Sequence, residues 1–93
     1  MESIVYNKDC MVGMAEYPDK YFDLAVVDPP YGINLKYNTY DDTEENRYHL
    51  MDKFIPEIKR ISTMVIMPSC SIKKLGWIYR NHEPDWLINW YKG

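Results

Sequence analysis

The chain has 93 residues, which is room for one domain and not two. Its 46% hydrophobic and 15% aromatic content is too high for a disordered chain, and four glycines and six prolines exclude collagen-like or low-complexity sequence. Eleven basic against fourteen acidic residues leave a net charge of −3, which argues mildly against a protein that holds nucleic acid mainly by neutralising phosphates.

The longest apolar runs have four residues, as in Leu24-Ala25-Val26-Val27. A membrane-spanning helix needs about 20, so no membrane partner is expected. Met1-Glu2-Ser3-Ile4 opens without a basic n-region or a long apolar stretch, so no signal peptide is expected and the expected location is cytoplasmic. Cys10 and Cys70 lie sixty positions apart with no CxxC pairing. They read as buried free thiols, and no metal site is expected.

Ser3-Ile4-Val5-Tyr6 is β-branched and aromatic and reads as a first strand. Asp9 reads as the N-cap of a helix from Cys10 to about Glu16, whose apolar face is Met11, Met14 and Ala15. Tyr17-Pro18-Asp19-Lys20 is a turn. The next strand runs from Tyr21 to Val27, and its continuously apolar end suits a parallel strand covered on both faces. Asp28-Pro29-Pro30-Tyr31 stops it, because two prolines cannot continue a central ladder. Gly32 to Asp42 reads as a long polar and aromatic loop, of the kind that is more often functional than accidental.

Thr43 caps a helix that starts at Glu44-Glu45, pauses or kinks at Pro56 and ends near Ile61. Leu50, Phe54, Ile58 and Ile61 form its buried stripe. Thr63 to Met67 is another apolar strand, stopped by Pro68 and Ser69. Ser71 or its neighbour caps a helix from Ile72 to Asn81, and Trp86 to Tyr91 reads as a final strand. The order β-α-β-loop-α-β-α-β predicts an α/β unit over residues 1–93 with a mainly parallel sheet.

The strand ending in Asp28-Pro29-Pro30-Tyr31-Gly32 carries the chemistry. Ligands of open α/β sheets bind beyond the carboxyl ends of strands. There the Asp28 carboxylate and the Pro29 carbonyl are two neighbouring acceptors on a stiffened chain, beside the flat ring of Tyr31. Two acceptors next to a stacking ring suit the exocyclic amino group of a planar base. They draw its nitrogen out of conjugation and leave its lone pair freer to attack. In a duplex the base must first be flipped out. Stacking on an aromatic ring, at about 1–3 kcal/mol per base, offsets part of that cost.

Asp28-Pro29-Pro30-Tyr31 resembles the DPPY catalytic motif of the amino-group DNA methyltransferases, which use S-adenosylmethionine to modify adenine or cytosine. Its flanks resemble those of phage and bacterial enzymes of this family, including restriction-modification methyltransferases: Asn7-Lys8-Asp9-Cys10, Met14, Pro18-Asp19, Phe22-Asp23-Leu24, then Phe54, Glu57, Arg60-Ile61-Ser62 and Val65-Ile66. Trp86-Leu87-Ile88-Asn89-Trp90-Tyr91-Lys92 is similar to a later strand of that fold.

The resemblance implies a partial, incomplete Rossmann-like methyltransferase sheet. In this expectation Asp28, Pro29, Pro30 and Tyr31 are catalytic, and Tyr31 stacks on the base, adenine being favoured over cytosine. Asp9 lies near the cofactor, while Lys36 and Tyr37 reach the DNA. The family's Gly-rich cofactor turn, of the Phe-x-Gly-x-Gly kind, is missing, since Gly13, Gly32, Gly76 and Gly93 are far apart. The chain therefore resembles the front half of a permuted enzyme and is expected to be inactive alone. It is further expected to self-associate or to need a complementing C-terminal half. The rival reading is a non-catalytic remnant or a nucleic-acid- or partner-binding module, and RNA is an alternative substrate.

Several other residues have plainer readings. Trp77, Trp86 and Trp90 are expected to pack in or against the core rather than to form a stacking platform. His49 and His82 are expected to be isolated and exposed, and Asp41-Asp42 with Glu44-Glu45 to form a solvated helix start.

Overall fold

The computed structural model describes residues 2–30, 40–69 and 71–89. The elements, in chain order, are α1 (Cys10–Ala15), β1 (Phe22–Val26), α2 (Glu44–Ile61), β2 (Ser62–Ile66) and α3 (Ile72–Asn81). The two strands pair in parallel, with Phe22 opposite Ser62, Leu24 opposite Met64 and Val26 opposite Ile66. This is a mixed α/β unit whose parallel sheet has two strands among the described residues. No helix among them is long and apolar enough to cross a membrane.

Each helix starts where a short polar side chain can serve its first amides. Asp9 Oδ1 accepts from the amides of Met11 (2.8 Å) and Val12 (3.4 Å). Thr43 Oγ1 accepts from the Asn46 amide (3.1 Å), and Ser71 Oγ from the Lys74 amide (3.3 Å). In α2, Glu44 and Glu45 lie at the positive end of the helix dipole and Lys59 and Arg60 at the negative end. The helix runs unbroken through Pro56, which is exposed and displaces no core neighbour. The expected pause there does not occur.

The core lies between α2 and one face of the sheet. Met51, Phe54, Ile55, Ile58 and Ile61 are buried on α2, and Met14 joins them from α1. Ala25, Val27, Val65 and Met67 of the strands and their ends pack against this cluster. The stripe read from the sequence is right at Phe54, Ile58 and Ile61. At its upstream end Met51 is fully buried and Leu50 only half-buried.

Arg60 fixes the amino ends of the strands. Its guanidinium forks onto Glu57 (2.6 and 3.1 Å), donates to the carbonyls of Tyr17 (2.9 Å) and Met14 (3.1 Å), and meets Asp19 (3.0 Å). One side chain thus ties the end of α1, the following turn and α2. Lys20 completes the turn in a left-handed conformation (φ 54°). Its amide donates to the Arg60 carbonyl (2.8 Å), and its Nζ donates to the carbonyls of Lys59 (3.0 Å) and Ser62 (3.2 Å).

Helix α3 lies alongside α2 and runs in the same direction. Lys73 meets Glu44 (2.8 Å), Trp77 stacks on Tyr48 (ring centroids 4.5 Å apart), and His82 meets Asp52 (2.9 Å). The partners rise together along both helices, so the two are parallel.

Several expectations are corrected. Residues 3–6 form no strand, and Val5 is 94% exposed. Residues 86–89 have no regular structure, and Trp86 is 84% exposed rather than packed; Trp90, Tyr91 and Cys70 lie outside the described residues. β-propensity expresses fit to a pleated, half-buried surface, and among the described residues no neighbouring strand supplies one to either segment. The central run is not covered on both faces, because α1 and α3 both join α2 on one side. Leu24, Val26, Met64 and Ile66 form an exposed apolar patch on the other.

Cys10 is exposed rather than buried, because Met14 takes the inward side of the short α1. Asp42 is buried rather than solvated, and His82 is mostly enclosed by its contacts with Asp52 and Trp77.

Two predictions follow from this packing. Met51→Ala, at the centre of the cluster, is expected to cost about 2–5 kcal/mol in denaturant unfolding. Hydrogen bonding to Arg60 holds the Glu57 carboxyl below its ordinary range, and Lys73, with Tyr48, does the same for Glu44. A carboxyl depressed by folding adds stability above its unfolded pKa and loses it as pH falls through the folded value. The melting temperature is therefore expected to drop as pH falls below the ordinary carboxylate range, with a shallower drop in Glu57→Gln.

Candidate site at the carboxyl ends of the strands

The β1–β2 ladder continues one step past β1, where the Val27 amide donates to the Ile66 carbonyl (2.9 Å). Then the chain must leave the sheet. Pro29 and Pro30 have no amide hydrogen and a fixed φ, so these two residues offer only carbonyl oxygens. Asp28 is exposed at this point, and the two prolines are half-buried. After β2, Met67, Pro68 and Ser69 leave the sheet beside them.

Arg47, one of the first residues of α2, reaches both exits. It is 0% exposed. Its Nη1 donates to the Pro30 carbonyl at 2.6 Å, and its Nη2 lies 3.5 Å from the Ser69 carbonyl, at the outer limit of a hydrogen bond. Asp42, just before the helix cap, is also buried, and Asp28, Asp42 and Arg47 each make further interactions. A buried guanidinium is costly unless its donors are satisfied. Its presence here means that the chain invests a desolvated charge in fixing the turn after Asp28.

The structure therefore brings Asp28, Pro29 and Pro30 together at a strand end. Tyr31, Lys36 and Tyr37 lie outside the described residues. Asp9 stands apart as the cap of α1, its carboxylate engaged by two helix amides. The Cys10 thiol is pushed above its ordinary pKa, first by partial burial and then by the charge of Asp9, so it is not an activated nucleophile. A shallow groove of about 220 Å³ along α2 is lined by Tyr40, Asn46, His49, Leu50 and Lys53, and none of the expected catalytic residues borders it.

Sequence reasoning missed Arg47. Its signal was present, since stepping back along the buried face from Ile58 through Ile55 and Met51 lands on position 47. A charged residue in register with a core stripe marks a buried charge with a task.

Comparison with family models, with curated proteins and with solved structures returned no match.

The two hydrogen bonds that Asp9 accepts from the α1 amides give a separable test. Asp9→Ala is expected to cost about 0.5–2 kcal/mol of stability through the lost cap, while Asp9→Ser keeps it. A thermal shift by S-adenosylmethionine in the native chain that Asp9→Ser abolishes would instead give Asp9 a role in the cofactor pocket.

Proposed function

We propose that this chain carries the catalytic-motif part of a site-specific DNA methyltransferase that acts on the exocyclic amino group of a flipped adenine, or less favourably cytosine. The observation that carries the reading is the placement of Asp28-Pro29-Pro30 at the carboxyl end of a parallel strand, where open α/β sheets bind ligands, with the turn braced by a buried arginine.

In this reading the Asp28 carboxylate and the Pro29 carbonyl accept the two amino hydrogens. They hold the nitrogen with its lone pair turned towards the methyl donor. Tyr31 is expected to stack on the base by analogy with the family, and Lys36 and Tyr37 are expected to contact the DNA.

S-adenosylmethionine is the methyl source that the resemblance implies. Asp9 is occupied as a helix cap, and the sequence has no closely spaced glycines of the kind that the family's cofactor turn uses. The chain's own contribution is to hold the acceptor nitrogen, and the cofactor falls to a complementing part.

A second reading, a non-catalytic binding module, is favoured by the uncovered patch of Leu24, Val26, Met64 and Ile66. An apolar sheet face with open edges is a surface for association with a complementing half or another copy. The two readings share this partner requirement and differ at Asp28.

The deciding probe is a DNA duplex with one adenine opposite an abasic site, where the base leaves the stack at least cost. In fluorescence anisotropy the chain is expected to bind it more tightly than the fully paired duplex, and Asp28→Ala is expected to erase the preference. Equal binding of both duplexes by the native chain would overturn the reading, and a preference confined to the RNA counterpart would move the substrate to RNA. Methyl incorporation by the 93 residues alone is expected to be undetectable.

A further inference from the structure

The geometry points to Arg47 as a positioning residue that sets which carbonyl of the Asp28-Pro29-Pro30 turn faces the substrate. This inference rests on the proposed function and deepens it at the same site.

Three observations carry it. Arg47 is fully buried although it is charged, so its guanidinium is committed to internal partners. Its Nη1 makes a short bond, 2.6 Å, to the Pro30 carbonyl. The same group reaches towards Ser69, at the exit from the neighbouring strand. The fork therefore spans the two chain segments that bound the site.

The consequence follows from proline chemistry. Neither Pro29 nor Pro30 has an amide hydrogen to donate, and among the described residues the last ladder bond before them is that of Val27 to Ile66. With the Pro30 carbonyl drawn inward by Arg47, that oxygen is withdrawn from the substrate. The carbonyl one residue earlier, on Pro29, is left to act with Asp28. Lysine is a poor substitute, because a single ammonium is a point donor and lacks the planar fork. Arg47 touches no substrate in this scheme and acts through the backbone it holds.

The test uses the complete chain, the abasic-site adenine duplex and two variants, Arg47→Met and Arg47→Lys. Amide hydrogen exchange is followed at Val27, near the carboxyl ends of the strands, and at Lys20, near the amino ends. In R47M exchange at Val27 is expected to quicken by at least about tenfold while Lys20 is unchanged, a local opening rather than a global one. The preference for the unpaired adenine is expected to fall to the level of Asp28→Ala, and R47K is expected to recover part of it. Equal quickening at both amides would make Arg47 a general stabiliser and overturn the proposal.

An adenine preference left intact in folded R47M would overturn this proposal alone. A native chain with no preference would overturn it together with the methyltransferase reading. Should R47M fail to fold, R47K decides: weakened preference with native exchange at Lys20 supports the role, and native preference opposes it.

Discussion

One helix face organises this protein. Five of the seven buried apolar side chains among the described residues belong to α2, so the two strands and α1 are held by what that helix presents. A chain of this size builds only a modest core. The same helix carries an arginine towards each end. Arg60 gathers the turn that precedes β1, and Arg47 gathers the segments that follow both strands. They are thirteen residues apart, about 20 Å along the axis at 1.5 Å per residue. That distance is roughly the length of a strand, so α2 grips the sheet at both ends, with the apolar cluster between.

Local chemistry explains what was legible in the sequence. The three helices were readable because each has a side-chain cap at a defined position, Asp9, Thr43 and Ser71, and each cap is made as expected. The two central strands were readable because unbroken apolar runs ended in prolines. The outer segments, residues 3–6 and 86–89, have the right residue types but no neighbouring strand among the described residues, and strand formation is a property of pairs. Pro56 misled in the other direction, since an exposed proline inside a helix anchored along its opposite face does not interrupt it.

The candidate site was legible in part for the same reason. Asp28-Pro29-Pro30 announces a strand end and two stiff carbonyls, and the structure puts it there. The inward partner of that turn comes from a helix seventeen residues later, and its charge disguised it as solvent-facing. Asp42 was misread likewise, since carboxylates beside a helix start usually face water. His82 and Asp52 are thirty residues apart, and only the parallel packing of α3 on α2 makes them neighbours. Pairings of this kind belong to tertiary geometry, and periodicity along one element does not contain them.

The attachment of α3 has a consequence for how the molecule yields under stress. Its contacts with α2 include an ion pair, a ring stack and a histidine–carboxylate pair; Trp77 also packs against the main cluster, whereas Ile78, its one buried apolar residue, lies outside it. Exposed ion pairs contribute little, typically under about 1 kcal/mol each. The helix is therefore tied to the core chiefly through Trp77, and once that ring leaves the cluster α3 can peel away as a unit while α2 keeps its grip on the strands. Because α3 begins just after Ser69, such peeling slackens one of the two chain exits that Arg47 spans and leaves the other tied. Mechanically the domain is a clasp with one stiff jaw and one soft one, and the soft jaw borders the strand ends.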